Sequence, residues 1–154
     1  MNRTVLLLCA LFVVSFGCNC GIVPPNPQNN FCRSDFVAVL TIVSRKNATS
    51  GFPLITYTGS SLSAATIFKS PNNFPADASN IKIVTEKDFG FNAGACGVNW
   101  LQVGKTYLIN GAVKSQLLSL HSCAQIDSYD EWANVPSDIK DPLQDGTYKN
   151  NCPQ

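Results

Sequence analysis

The chain has 154 residues and a formal net charge of +1, with 11 basic and 10 acidic residues spread along it. A charge this close to zero, without a cluster of Lys or Arg, argues against binding to nucleic acid or heparin through a basic face. The length suits a single domain with one core, and no internal repeat, linker or low-complexity segment divides it.

Residues 1–17 have the features of a cleaved secretory signal peptide. A basic start is followed by a mostly apolar stretch at residues 4–16, shorter than the roughly 20 residues needed to span a bilayer. Small residues then occupy the positions that a signal peptidase reads, which predicts cleavage between Gly17 and Cys18. We therefore expect a secreted, extracellular domain of residues 18–154 without a membrane anchor.

Removal of the signal changes the cysteine count from 7 to an even number, because Cys9 leaves with it. The remaining cysteines in an exported chain predict three disulfides formed in an oxidising compartment. The sequon Asn47-Ala48-Thr49 agrees with export and makes Asn47 a candidate for N-glycosylation.

Five apolar segments of the mature chain predict strands, because they are rich in β-branched residues and are bounded by polar or turn-forming ones. The second and longest of them contains residues 59–61, GSS, where a bulge or bend is expected. The last two segments lie either side of residues 112–116 and predict a hairpin. The five predicted strands are residues 36–43, 53–69, 81–87, 105–111 and 117–123.

Helical signals are few. Residues 25–31 predict one short turn of helix, and residues 130–149 carry widely spaced apolar side chains. Ser137 can cap a helix in the second segment, with Pro142 in its first turn or at a kink. Five strands at fairly regular spacing predict an antiparallel barrel or sandwich. We interpret the chain as mainly β, a five-stranded OB-type barrel with short helices.

Cys18 and Cys20 stand one residue apart at the expected mature N-terminus. In an extended chain both side chains face one side and Asn19 faces the other. A direct bond between the two cysteines is unattractive, because so small a ring requires a strained turn. Spacing alone leaves two interpretations open. The pair either ties down a fraying terminus, or it also fixes the α-amino group of Cys18 in space for a function.

This N-terminus resembles that of a tissue inhibitor of metalloproteinases (TIMP). The stretch CNC…PPNPQNNFCRSD has the family's Cys-x-Cys, proline-rich turn, Phe-Cys pair and Ser-Asp in order. Residues 95–113, ACGVNWLQVGKTYLINGAV, are similar to the family's Cys-Gly block and its Tyr-Leu-Ile-x-Gly strand. LLSLHSC resembles the next strand, and Trp132 and the closing Tyr-x-x-x-Cys also fit. The resemblance covers nearly the whole mature chain.

The resemblance implies a netrin-like OB barrel spanning residues 18–154. It also selects one of the 15 connectivities that six cysteines allow. The implied disulfides are Cys18–Cys96, Cys20–Cys123 and Cys32–Cys152.

The function that the resemblance implies is inhibition of zinc metalloproteinases of the matrix metalloproteinase class. The amino and carbonyl groups of Cys18 would chelate the catalytic zinc of the target, and the inhibitor would act as a monomer with no cofactor of its own. Asn19 would enter the pocket for the substrate side chain, although the family usually has Thr or Ser there. The rest of the implied inhibitory ridge is Cys20, Gly21, Ile22, Gly94 and Ala95.

Two other classes of function are alternatives to this one. An enzyme is disfavoured because His121 is the only histidine and lies inside a predicted strand, while the mature cysteines are expected to be paired. A netrin-like binding module without inhibitory action is the closer alternative. Such modules usually carry residues ahead of the first cysteine, and the expected cleavage leaves none ahead of Cys18.

Overall fold

The computed structural model describes residues 20, 26–47, 54–61, 63–72, 74, 79–86, 96–127 and 131–153. The predicted signal peptide, residues 1–17, lies outside them. The strands are β1 (Phe36–Asn47), β2 (Leu54–Ser61), β3 (Ile67–Lys69), β4 (Ile81–Glu86), β5 (Thr106–Lys114) and β6 (Leu117–Leu120). The α-helices are α1 (Pro27–Arg33), α2 (Ser137–Gln144) and α3 (Thr147–Asn150), with 3₁₀ turns at Ala64–Thr66, Ser122–Ala124 and Trp132–Asn134.

Five of the strands close into a barrel. The sheet order is β2-β4-β6-β5-β1-β3, and an additional pairing of β1 with β2 joins the two ends of the five-stranded part. The short β3 adds to β1 from outside the ring. The pairings are antiparallel except that of β4 with β6, which is parallel. This closed five-stranded, mainly β architecture is the OB-type barrel that the sequence predicts.

Strand β1 is buried on both faces over its first half, which explains its unbroken apolar sequence FVAVL. Phe36 and Leu40 point into the barrel, while Val37 and Val39 point to the helical side. All four side chains are completely buried. From Val43 onward the strand becomes mostly exposed. The barrel and the helices therefore share β1 as a common wall.

The two cores lie on opposite sides of that wall. The barrel interior contains Tyr57, Ile81, Ile109 and twelve further buried residues, including Val98 and Leu101 from the segment before β5. The second core packs α1, α2 and α3 against the outer face of β1, with Phe31 and Tyr148 in ring contact at 5.7 Å between centroids. The disulfide Cys32–Cys152 links α1 to the chain just after α3.

The predicted strands are present, but some of their boundaries are wrong. Strand β1 continues four residues past the predicted end at residue 43 to Asn47, because β2 pairs with it over that length. The irregularity expected at residues 59–61 lies in β1 instead, where the register shifts between Ile42 and Ser44. Residues 53–69 divide into β2, a 3₁₀ turn and β3.

The hairpin of β5 and β6 turns through Ser115 and Gln116, whose φ angles are 48° and 63°. Two consecutive positive φ angles are the geometry of a type I′ turn, whose twist matches the strands it connects. The predicted hairpin is therefore correct, although its turn is shorter than residues 112–116. Strand β6 ends at Leu120, three residues before the predicted end at residue 123.

The helices are also close to their predicted places. Helix α1 begins after Asn26, whose side chain accepts a hydrogen bond from the N–H of Asn29. In α2, Ser137 is the first helical residue and Pro136 is the N-cap, so the predicted cap by Ser137 is wrong. Pro142 lies inside α2, beyond its first turn. Of the helices in the described part of the chain, none combines the length and apolar character that a bilayer crossing requires.

Candidate functional site: the disulfide-anchored N-terminus

Three cysteines that are far apart in sequence meet at one end of the barrel. Cys20 is bonded to Cys123, with their Cα atoms 5.0 Å apart. Cys96 is also disulfide-bonded, and its Sγ lies 3.6 Å from that of Cys123. Cys20–Cys123 and Cys32–Cys152 are two of the three pairs that the resemblance implies. The third, Cys18–Cys96, includes a residue that is not described and stays a prediction.

The segment carrying Cys96 is fixed to the barrel by hydrogen bonds. The Thr85 hydroxyl accepts from the N–H of Val98 at 2.8 Å and donates to the carbonyl of Leu120 at 3.2 Å. The Tyr57 hydroxyl donates to the carbonyl of Val98, and burial raises the pKa of Tyr57, which keeps this donor protonated. Because Thr85 and Tyr57 are almost fully buried, these bonds are shielded from water.

The residue after Cys96, Gly97, has no room for a side chain. A Cβ atom at this position would lie 1.7 Å from the carbonyl oxygen of Glu86 and 2.7 Å from its carbonyl carbon. Both are backbone atoms at the end of β4, so no side-chain rotation could relieve the contact. The absence of a side chain at Gly97 therefore allows the Cys96 segment to approach β4 this closely.

The turn that carries Cys123 is held in a similar way. The backbone N–H of Cys123 donates to Nδ1 of His121 at 3.3 Å, so the imidazole caps the 3₁₀ turn. The amide of Asn110 in β5 donates to the carbonyl of Ala124 at 2.7 Å and accepts from the N–H of Ile126 at 3.0 Å. The backbone N–H of Ser122 donates to the carbonyl of Cys96 at 2.8 Å. The two disulfide-bearing segments are therefore joined directly.

The structure corrects the interpretation of His121 as a residue on a strand face. It lies after the end of β6, is exposed, and makes a local capping bond. The reason is that the chain leaves the sheet to bring Cys123 to Cys20. Apolar and polar residues alternate from Leu118 to His121, as in a strand, and only the second polar residue in a row, Ser122, interrupts that pattern.

A metal centre at this cluster does not fit the chemistry of its side chains. Cys96, His121 and Cys123 have ligand atoms within 4.8 Å of one another. Both cysteines are oxidised to disulfides, however, and metal binding by cysteine requires the thiolate. One imidazole is then the only ordinary ligand in the group. This end of the barrel is therefore better suited to present the N-terminal chain than to hold a metal of its own.

Most of the predicted inhibitory ridge lies outside the described residues. Cys20 is described and exposed beside Cys123. Asn47, the candidate for glycosylation, is exposed at the end of β1, as attachment of a glycan requires. Its modification stays a prediction. The ridge residues outside the described ranges are Cys18, Asn19, Gly21, Ile22, Gly94 and Ala95.

A disulfide-tied OB-type barrel whose N-terminal cysteine segment is anchored at one end defines a netrin-like class of domain. The family model described as "Tissue inhibitor of metalloproteinase" matches residues 17–153, and the chain belongs to this family. No individual curated protein matches the sequence significantly. Members of the family are extracellular inhibitors of metalloproteinases rather than enzymes, so metalloproteinases are the partners that membership implies.

Proposed function

We propose that this protein is a secreted, monomeric inhibitor of zinc metalloproteinases of the matrix metalloproteinase class, acting through the N-terminal Cys18 of the mature chain. The observation that carries the proposal is the Cys20–Cys123 disulfide beside disulfide-bonded Cys96. It fixes the chain two residues after Cys18 to a rigid end of the barrel. Family membership supplies the class of target.

The inhibitory chemistry follows from the groups that an N-terminal residue offers. A metalloproteinase zinc has three protein ligands and keeps a further position for water or substrate. The α-amino nitrogen and carbonyl oxygen of Cys18 form a five-membered chelate that can displace this water. An amine must be neutral to bind a metal, and α-amino groups have a pKa of about 7.7–8.0, so the proton is lost at little cost near neutral pH.

The residues that follow would occupy the substrate cleft of the target. Asn19 enters the pocket for the side chain after the cut bond, and residues 20–22 run along the cleft as a substrate does. Gly94 and Ala95 complete the ridge beside them, just before the fixed Cys96. Disulfides that hold these segments reduce the conformational entropy lost on binding, which favours tight inhibition without cleavage.

The first test is direct. The secreted protein should begin at Cys18 in N-terminal sequencing, contain a Cys18–Cys96 bond in non-reducing peptide mapping, and inhibit a matrix metalloproteinase catalytic domain with one-to-one stoichiometry. A serine proteinase, which has no zinc, should be unaffected at the same concentrations. A mature chain that begins elsewhere, or one that binds without inhibiting, would contradict the proposal and favour a non-inhibitory netrin-like module.

The side chain of Asn19 is expected to modulate this inhibition. If it enters a largely apolar pocket, its amide loses hydrogen bonds to water that the pocket does not fully replace. Asn19→Thr should therefore keep or improve inhibition, whereas Asn19→Gly should weaken it by removing the contact with the pocket. Inhibition constants for the three proteins against one proteinase provide the comparison. Equal constants would mean that the side chain does not enter the pocket.

A further inference from the structure

A small cleft lies beside Cys96 and the Cys20–Cys123 disulfide and is not part of the predicted ridge. It is open at the ends of β2, β4 and β6 and has a volume of about 160 Å³. Clefts for drug-sized ligands are usually about 300–1,000 Å³. The space is therefore suited to a single side chain of a partner protein. Its lining residues are Leu54, Val84, Thr85, Glu86, Cys96, Ser119, Leu120 and His121.

The walls of this cleft are rigid and mostly apolar. Thr85 and Leu120 are almost completely buried and joined by a hydrogen bond, and Cys96 is disulfide-bonded. Leu54 is 39% exposed at the edge of the cleft. Covering this apolar side chain with a partner would remove it from water, which is favourable. A rigid apolar cleft needs no rearrangement to receive a partner, which favours binding.

The polar part of the cleft is acidic. Glu86 is exposed and carries the only carboxylate among the lining residues. Within the described part of the chain the ion pair found is Lys105–Glu131, so no described cation neutralises Glu86. His121 is held by its bond to the N–H of Cys123. An apolar wall below an exposed carboxylate that no described cation pairs with complements a long aliphatic stem that ends in a positive charge.

The cleft is continuous with the proposed inhibitory surface. Cys96 lines it, and the Sγ of Cys96 lies 3.6 Å from the Sγ of Cys123, which anchors Cys20. A proteinase bound through the N-terminal segment would therefore place the rim of its own active-site cleft over this position.

We propose that this cleft receives one lysine or arginine side chain from the rim of the target metalloproteinase, with its charge paired to Glu86; the inference rests on the proposed function. The cleft is then a determinant of specificity separate from the zinc ligand. Proteinases with a basic residue at this position of the rim bind more tightly than those with a neutral or acidic one.

The test compares inhibition constants of the secreted protein with those of Glu86→Gln, Glu86→Lys and Asp141→Asn against several matrix metalloproteinase catalytic domains. Glu86→Gln keeps the size of the side chain and should weaken inhibition of a sensitive proteinase by about tenfold, and Glu86→Lys by about a hundredfold. Asp141→Asn makes the same change of charge as Glu86→Gln at an exposed position of α2. It controls for net charge and should change inhibition by less than about twofold.

The basic partner is identified by substituting rim lysines and arginines of the proteinase with alanine. For one of them the effect of Glu86→Gln should disappear, and raising the salt concentration should reduce that effect for the unmodified proteinase. Circular dichroism and thermal unfolding confirm that each variant is folded, as expected for an exposed side chain.

The possible failures are distinguishable. If the unmodified protein inhibits but Glu86→Gln and Glu86→Lys inhibit equally well, the occupant proposed for the cleft is wrong and zinc chelation stands. Tighter inhibition by Glu86→Gln would mean that an apolar side chain occupies the cleft, and it would also overturn the proposal. If the unmodified protein inhibits none of the proteinases, the proposed function fails and the occupant fails with it.

Discussion

With one alanine left ahead of Cys18, the protein is expected to keep its fold and to lose nearly all inhibition of metalloproteinases. The α-amino group becomes an amide, whose delocalised lone pair does not coordinate zinc. The extra residue also collides with the metal centre. We expect the inhibition constant to rise by about a thousandfold or more, equivalent to roughly 4 kcal/mol of binding free energy.

The stability of the extended protein should not change, because the addition is made outside both cores. Thermal unfolding and non-reducing peptide mapping would check this. An alanine added after Gln154 is the matched control and should leave inhibition intact. Selective carbamylation of the terminal amine should reproduce the loss without any change of sequence. Inhibition by the N-terminally extended protein equal to that of the unextended one would contradict zinc chelation by Cys18.

The barrel itself could be predicted because its strands differ clearly from their surroundings. The apolar start of β1, the alternation in β4 and the hairpin of β5 and β6 each give a local signal. The strand boundaries could not be predicted as well. The extension of β1 to Asn47 depends on pairing with β2. The register shift beside Val43 also depends on β2, where consecutive residues pair with Ile42 and Ser44.

The candidate site could be predicted only in part. Spacing predicts that Cys18 and Cys20 face one side of an extended chain, but it does not choose among the possible disulfide partners. The resemblance supplied them. The role of Gly97 depends on a distance to Glu86, a residue eleven positions earlier. The acidic cleft likewise combines β2, β4, β6 and the Cys96 segment, and their approach exists only in the folded chain.

Gly97 connects this folded geometry to the second large effect that we expect. Gly97→Ala would place a methyl group against the backbone of Glu86, where the available separation is 1.7 Å. Either the end of β4 or the Cys96 segment must move. Movement of the segment would stretch the hydrogen bonds of Val98 to Thr85 and Tyr57, which are buried. Overpacking typically costs about 1–3 kcal/mol in free energy of unfolding, and we expect this clash with backbone atoms to lie at or above the upper end of that range.

Inhibition should weaken as well in Gly97→Ala, because the displaced segment begins at Cys96, directly after the proposed ridge residues Gly94 and Ala95. Gly104→Ala is a suitable control. Its Cβ would meet no atom within 4 Å, but the residue has a φ of +85°. The substitution should therefore cost only the left-handed backbone strain of about 1–2 kcal/mol and leave inhibition unchanged. Denaturant unfolding and an inhibition assay of both variants separate the two effects. If Gly97→Ala proved no more destabilising than Gly104→Ala, the close approach of the Cys96 segment to β4 would be wrong.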